Sequence, residues 1–302
     1  MRKPRQRVGA VAAGVAAAVL TAAGCGAAGG RPAPPPTGTA SGAAPRPTPT
    51  PTPAWDRSPD SIAAVGDSIT RGFDACAVLA DCPEVSWATG SSPAVDSLAV
   101  RLLGRERAAT HSWNYAVTGA RMAGLQAQMA RAVTRRPELV TVMVGANDAC
   151  RATPAAMTSV ADFRAGFQNA MRTLRRSLPR TEVYVASVPD LKRLWSQGRS
   201  SALGREVWKL GVCPSMLSDA ESLGAAATAR RDKVDKRVEA YDRVLEQVCA
   251  ADRHCRYDGG AVHDYRFGAA QLSSWDWFHP GKDGQARLAE IAYRTVTARE
   301  PA

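Results

Sequence analysis

A chain of 302 residues with 45% hydrophobic and 22% charged positions is too apolar to stay disordered and too polar to lie mostly within a bilayer, so a soluble globular protein is expected. The formal net charge is +11, yet only six of the 39 basic residues are Lys, and no basic stripe interleaves with aromatics. Arg dominance beside abundant Ala reads as compositional bias, and no nucleic-acid partner is expected.

Residues 1–25 have the layout of a signal peptide. Arg2, Lys3, Arg5 and Arg7 form a basic start, residues 8–23 are an Ala/Val/Leu run, and Ala22-Ala23-Gly24 stand just before Cys25. The apolar run is shorter than the ~20 residues of a bilayer span. Small residues directly before a cysteine resemble the lipobox of bacterial lipoproteins, with Ala22 where Leu is usual, so Cys25 is the candidate lipidation site. The competing reading is a plain secretory signal cut nearby. Either way the protein is expected to be secreted or held on the extracellular face of the cell membrane.

Residues 26–58 read as a Pro/Thr/Ala-rich disordered linker, with nine prolines between positions 26 and 54. Such a segment has little to bury and favours extended conformations at roughly 3.1 Å per residue, the behaviour of a stalk. The folded domain is expected over residues 59–302.

Within that domain, short apolar runs at 61–66, 113–117, 139–144 and 182–188, and a weaker one at 255–258, are the strand candidates. Between them apolar residues recur at helical spacing: Val160, Phe163, Phe167, Met171 and Leu174; then Val234, Val238, Tyr241, Leu245 and Val248; then Leu288, Ile291 and Thr295. Strand–helix alternation predicts one α/β domain with a central parallel sheet and helices on both faces. Residues 189–226 are weakly periodic and read as an insertion.

Six cysteines fall in this domain, an even count suited to an exported chain. The close couples Cys76 with Cys82 and Cys249 with Cys255 suggest sequential bridges, which leaves Cys150 with Cys213. A zinc site is the competitor, but the chain has no C-x-x-C or H-E-x-x-H, and its four histidines form no ligand-like cluster.

Sites in open parallel sheets gather at the carboxyl ends of the strands. Gly66-Asp67-Ser68 ends the first strand there, and Gly119 follows the second. Gly145-Ala146-Asn147-Asp148 ends the third, and Asp276-Trp277-Phe278-His279 precedes the last helix. Each alone is ordinary turn chemistry. Together they form an acyl-transfer inventory: Ser68 to attack, His279 to move the proton, and Asp276 to orient the imidazole. The backbone N–H groups of Ser68 and Gly119 and the Asn147 amide could donate to an oxyanion. Asp67 reads as a brace for the turn, and His263 and Asp264 read as structural. Phe73, Trp87, Leu191, Leu194, Trp195, Trp275, Trp277 and Phe278 are candidates for an apolar wall, or simply for packing.

These four blocks resemble the SGNH (GDSL-type) hydrolases, with Ile69 where Leu is commoner. The likeness spans residues 61 to about 299, and G-x-S-x-G is absent. Within the family, the sequential bridges look like the secreted actinobacterial lipases. Val85–Gly90 and Asn147–Cys150 are similar to short segments of the phospholipase B-like branch. The resemblance implies a three-layer α/β/α sandwich around a five-stranded parallel sheet, the flavodoxin-like SGNH hydrolase fold. It also implies a serine esterase or lipase acting through an acyl-enzyme, without metal or organic cofactor. Phospholipid or acylated carbohydrate substrates would use the same residues, and a catalytically idle cell-surface binding lipoprotein is the reading from another class. The expected partners are an ester or lipid substrate and a membrane reached through Cys25, and a monomer is expected.

Overall fold

Five short strands, ten α-helices and four single-turn 3-10 helices make up the computed structural model of the protein, which describes residues 55–300. The expected signal peptide, Cys25 and the linker up to Ala54 lie outside the described residues. Trp55, the first described residue, donates its indole N–H to the Val296 carbonyl at 2.8 Å, and the Arg256 guanidinium lies over its ring.

In chain order the elements are β1 (Ile62–Gly66), α1 (Leu98–Leu103), α2 (Arg105–His111), β2 (Ser112–Asn114), α3 (Met122–Ala132), β3 (Leu139–Met143), α4 (Ala146–Ala149), α5 (Val160–Ser177), β4 (Glu182–Val185), α6 (Leu191–Gly198), α7 (Ala202–Trp208), α8 (Pro214–Leu217), α9 (Ala225–Ala250), β5 (Cys255–Tyr257) and α10 (Lys282–Thr297). All strand pairs are parallel, in the order β2-β1-β3-β4-β5. Strands β1, β3 and β4 are buried along their whole length, because helices cover both faces of the sheet; this is why they read as near-continuous apolar runs, interrupted by Thr141 in β3 and opened by Glu182 in β4.

The chain moves from β1 outward to β2, then crosses back over β1 to β3 and continues to β5. With right-handed crossovers, that reversal sends α1 and α2 to one face and α3, α5 and α9 to the other. Helix α10 packs beside α1. The crevice at the reversal opens at the carboxyl ends of β1, β2 and β3, where Gly66, the 117–121 turn and Gly145 stand.

The helical periods hold, with one extension: α9 starts at Ala225, before the Val234–Val248 stripe. Segment 189–226 carries α6, α7 and α8; α6 buries Leu191, Leu194, Trp195 and Gly198 at helical spacing, while α7 and α8, of seven and four residues, are too short for a period to accumulate. Arg231 of α9 is buried beneath it. Its guanidinium donates to the carbonyls of Asp219 at 2.7 Å and Ser222 at 2.8 Å and lies 4.0 Å from the Trp195 ring centroid. The three disulfides are Cys76–Cys82, Cys150–Cys213 and Cys249–Cys255.

Candidate active site

Strand β1 delivers the serine through a glycine that no other residue could replace. Gly66 has φ 154°, and a Cβ there would come within 2.3 Å of the Met143 carbonyl oxygen on the neighbouring strand. Asp67 then closes the turn, its Oδ1 accepting the Ile69 N–H at 3.0 Å. The strand end is gripped from α3, where Gln128 Oε1 accepts the Gly66 N–H at 2.7 Å and Nε2 donates to the Gly66 carbonyl at 2.9 Å.

Ser68 and His279 meet at the crevice, with Oγ 3.0 Å from Nε2. On the far side of the ring, Nδ1 contacts Asp276 Oδ2, so Nδ1 bears the proton and Nε2 is free to accept one. Asp276 Oδ1 accepts the N–H groups of Phe278 at 2.9 Å and His279 at 3.0 Å, which folds the carboxylate under its own histidine. The loop is closed by an antiparallel bridge between Leu272 and Pro280 and anchored by the Trp208 indole, which donates to the Asp276 carbonyl at 2.6 Å. The Phe73 ring and the imidazole pack in a T-shaped arrangement at a centroid distance of 5.1 Å.

The electrostatics fit this arrangement. Burial works against a charged imidazole, but the Asp276 carboxylate outweighs it and raises the His279 pKa above the ordinary histidine value. Burial likewise disfavours the Asp276 charge, and the imidazole with its N–H donors overcomes that, so its pKa lies below the usual carboxylate value. Asp67, by contrast, is pushed up to about 7, chiefly by burial.

Asn147 and Gly119 face the same cleft as Ser68. Among the described residues the Ser68 and Gly119 N–H groups have no hydrogen-bond acceptor. The Asn147 amide donates to the Ala120 carbonyl at 3.1 Å, which leaves its second N–H to point elsewhere. Asp148, beside it, is fully buried and accepts the first N–H of α3, from Met122, at 2.8 Å. It caps α3 from the short helix α4 that follows β3 and so holds the Gly119 turn against Asn147.

The cleft has a volume of about 190 Å³, and its apolar wall includes Ile69, Phe73, Leu191, Leu194, Val212 and Phe278. Four of the eight wall candidates are therefore in place. Trp87 is wholly buried in the core and Trp275 is exposed, while Trp195 is turned to the Ala220 carbonyl and Arg231. Trp277 fits against Gly198 and Gly204, whose missing side chains make room for it. The 189–226 segment builds one side of the cleft, joined to the Asn147 loop by Cys150–Cys213.

Two groupings have metal-ligand residue types. Asp74, Asp276 and His279 have donor atoms within 4.8 Å of one another, but both His279 nitrogens are engaged, by Ser68 and Asp276. Cys76 and Cys82, beside Glu84, are joined to each other and offer no thiolate. Sequence reasoning missed Gln128, Asp148 as a helix cap, and Asp74. The available signal for Gln128 was a polar residue on the buried stripe of α3, between Leu125 and Met129.

No curated protein matches the chain. Among solved structures, an acetyl xylan esterase from Geobacillus stearothermophilus is similar at 14% identity, covering 80% of this chain and 96% of that one, with TM-score 0.45. A family 3 carbohydrate esterase from Clostridium thermocellum is similar at 14% identity, covering 78% and 93%, with TM-score 0.46. An extracellular lipase from Streptomyces rimosus is similar at 17% identity, covering 79% and 99%, with TM-score 0.44. The family described as GDSL-like Lipase/Acylhydrolase matches residues 62–292, a span that holds all four blocks, and the chain belongs to that family.

Proposed function

We propose that the protein is a serine ester hydrolase that works through an acyl-enzyme. The observation that carries this reading is the 3.0 Å contact of Ser68 Oγ with the unprotonated Nε2 of a histidine oriented by a buried carboxylate. Ser68 Oγ attacks the ester carbonyl carbon as its proton passes to Nε2. The tetrahedral oxyanion is received by the N–H groups of Ser68 and Gly119 and the side-chain amide of Asn147. Collapse expels the alkoxide, which takes the proton from Nε2. A water molecule then attacks the acyl carbon, gives its proton to Nε2, and the acid leaves as Ser68 regains that proton.

The acyl group lies in the apolar cleft. At about 190 Å³ this is smaller than the roughly 300–1,000 Å³ of pockets that enclose drug-sized ligands, which favours short acyl chains. The same observation favours, as a second reading, removal of acetyl groups from a carbohydrate over release of long fatty acids from phospholipid.

Hydrolysis of p-nitrophenyl acetate, butyrate and palmitate by the wild type and by Ser68→Ala tests the proposal. Short esters should be cleaved fastest, and Ser68→Ala should be inactive on all three; wild-type rates in that variant would leave a binding protein on an enzyme scaffold. Acetate release from acetylated xylan, set beside fatty acid release from phosphatidylcholine vesicles, separates the two substrate readings.

Export and anchoring through Cys25 belong to the same proposal. The leader pattern and the three disulfides of the domain support it. Metabolic labelling with a fatty acid should mark the wild type and not Cys25→Ala.

A further inference from the structure

Asp74 stands just ahead of the loop closed by Cys76–Cys82, behind the Ser68, His279 and Asp276 side chains, and no step of acyl transfer uses it. Its carboxyl is buried. Oδ1 accepts the Leu79 N–H from inside the bridged loop, and Oδ2 has no hydrogen-bond partner among the described residues. Carboxylate oxygens of Asp74 and Asp276 and a ring nitrogen of His279 lie within 4.8 Å of one another. The backbone of Asp74 is pinned twice. Its N–H donates to the Ala80 carbonyl at 3.0 Å, and its carbonyl accepts Ser273 Oγ from the histidine loop at 2.6 Å.

Two buried carboxyls with oxygens within 4.8 Å of each other relieve their repulsion when one of them takes a proton. Asp276 is committed as the charged member, since His279 Nδ1 and two backbone N–H groups hold its oxygens. The proton therefore falls to Asp74, which burial and then the Asp276 charge push up to about 6.

We propose that Asp74 is a positioning residue of this site, a second carboxyl whose protonation against Asp276 sets how readily His279 holds its own proton, with the Cys76–Cys82 loop as its clamp. The inference rests on the reading of His279 as the general base. The titratable groups that act on Asp74 are Asp276 and His279 from the loop before α10. Asp67, at the end of β1, acts on the same imidazole. Arg71 is turned to Asp81, 3.1 Å away on the outer side of the bridged loop.

An ionised Asp74 adds negative charge beside the imidazole and keeps His279 protonated, hence idle as a base, to higher pH. A protonated Asp74 donates to Asp276, removes that charge and frees His279. As pH falls, proton uptake by Asp74 works against proton uptake by His279, so the acid limb of kcat/KM is stretched beyond a single ionisation.

The test is the kcat/KM pH profile for a short p-nitrophenyl ester with wild type, Asp74→Asn and Ser68→Ala. Asp74 has φ 57°, a left-handed conformation that Asn tolerates, and the Asn amide reproduces the Leu79 acceptor and the donor to Asp276. The acid limb of Asp74→Asn should move to lower pH and become a single ionisation. Below the wild-type midpoint, the variant should retain a several-fold larger fraction of its own plateau rate than the wild type does.

The imidazole titration followed by NMR in a Ser68→Ala background, with and without Asp74→Asn, should move the same way. Superimposable limbs and titrations would overturn the proposal while Ser68→Ala stays inactive, whereas an active Ser68→Ala would overturn the acyl-enzyme reading itself. If Asp74→Asn does not fold, the wild-type limb decides: a stretched limb supports the inference and a clean single ionisation overturns it.

Discussion

Gln128 and Gly66 pair as two peptide groups do, exchanging both hydrogen bonds although one partner is a side chain 62 positions away. The reason lies in the sheet. Ladder pairing of β2 with β1 ends at Ala64; beyond it the Val117 N–H still donates to the Gly66 carbonyl at 3.2 Å, while the Gly66 N–H finds its acceptor in the Gln128 amide. The turn carrying Ser68 is thereby fixed one residue before Asp67. Gln128→Met fills the same space without either bond and strands a buried N–H. It should cost about 2–3 kcal/mol in urea unfolding, at roughly 1–3 kcal/mol per unsatisfied buried group. Since the lost grip positions Ser68 and does not bind substrate, kcat should fall more than KM rises.

The strands were legible because burial on both faces leaves near-continuous apolar runs such as Leu139–Met143, and the four blocks because glycine and polar residues interrupt those runs at one end of the sheet. Other features depend on distant partners and leave no local trace. Asp148 reads as a turn residue until its contact with the first N–H of α3 is seen. The tryptophans misled for a related reason: an indole near a site in sequence packs wherever small residues admit it, as Gly198 and Gly204 admit Trp277. Arg231 carries nothing in its neighbouring sequence that marks it as buried; the carbonyls of the 189–226 segment account for that burial.

Asn147 offers one N–H to the Ala120 carbonyl and keeps another for the cleft. Replacing it with Ala should lower kcat about 10²–10³-fold, equivalent to roughly 2.7–4 kcal/mol of barrier, with little change in KM, because an oxyanion donor acts mainly in the transition state. Steady-state kinetics on p-nitrophenyl acetate check this. A proportionate rise in KM instead would assign Asn147 to substrate binding.

His279 carries a pKa above the ordinary histidine value, with burial opposing and Asp276 prevailing. Protonated Nε2 cannot accept the Ser68 proton, so activity should fall as pH drops through that elevated value. Asp276→Asn removes the charge that raises it and moves the acid limb to lower pH. It also presents an amide where Nδ1–H needs an acceptor, so kcat should fall by about 10⁴-fold, the scale of this exchange in Ser–His–Asp sites.

Cys150–Cys213 spans 63 positions and ties the 189–226 wall to the Asn147 loop, whereas Cys249–Cys255 spans six. In the chain-entropy account the long loop contributes about 4 kcal/mol and the short one about 2 kcal/mol. Cys150→Ser should therefore lower the melting temperature more than Cys249→Ser. It should also raise KM for ester substrates, since Leu191, Leu194 and Val212 line the cleft from the freed segment. Calorimetry and kinetics on the two variants give the comparison.

Asp67 sits between the site and the core, buried, with Oδ1 on the Ile69 N–H and Oδ2 without a partner among the described residues. Burial raises its pKa from the ordinary 3.8 to about 7. The stability this implies is fully present below the unfolded value and is lost as pH rises through the folded one, because above that point the fold must hold a charge that water would hold better. Asp67→Asn keeps an acceptor for Ile69 and never acquires the charge. Its stability relative to wild type should climb between about pH 4 and pH 7 and level off above, reaching a few kcal/mol at about 1.4 kcal/mol per pH unit. Melting temperatures of the two proteins across that range check the sign. Parallel curves would mean that Asp67 titrates as an ordinary carboxylate and that the turn holds its charge without cost.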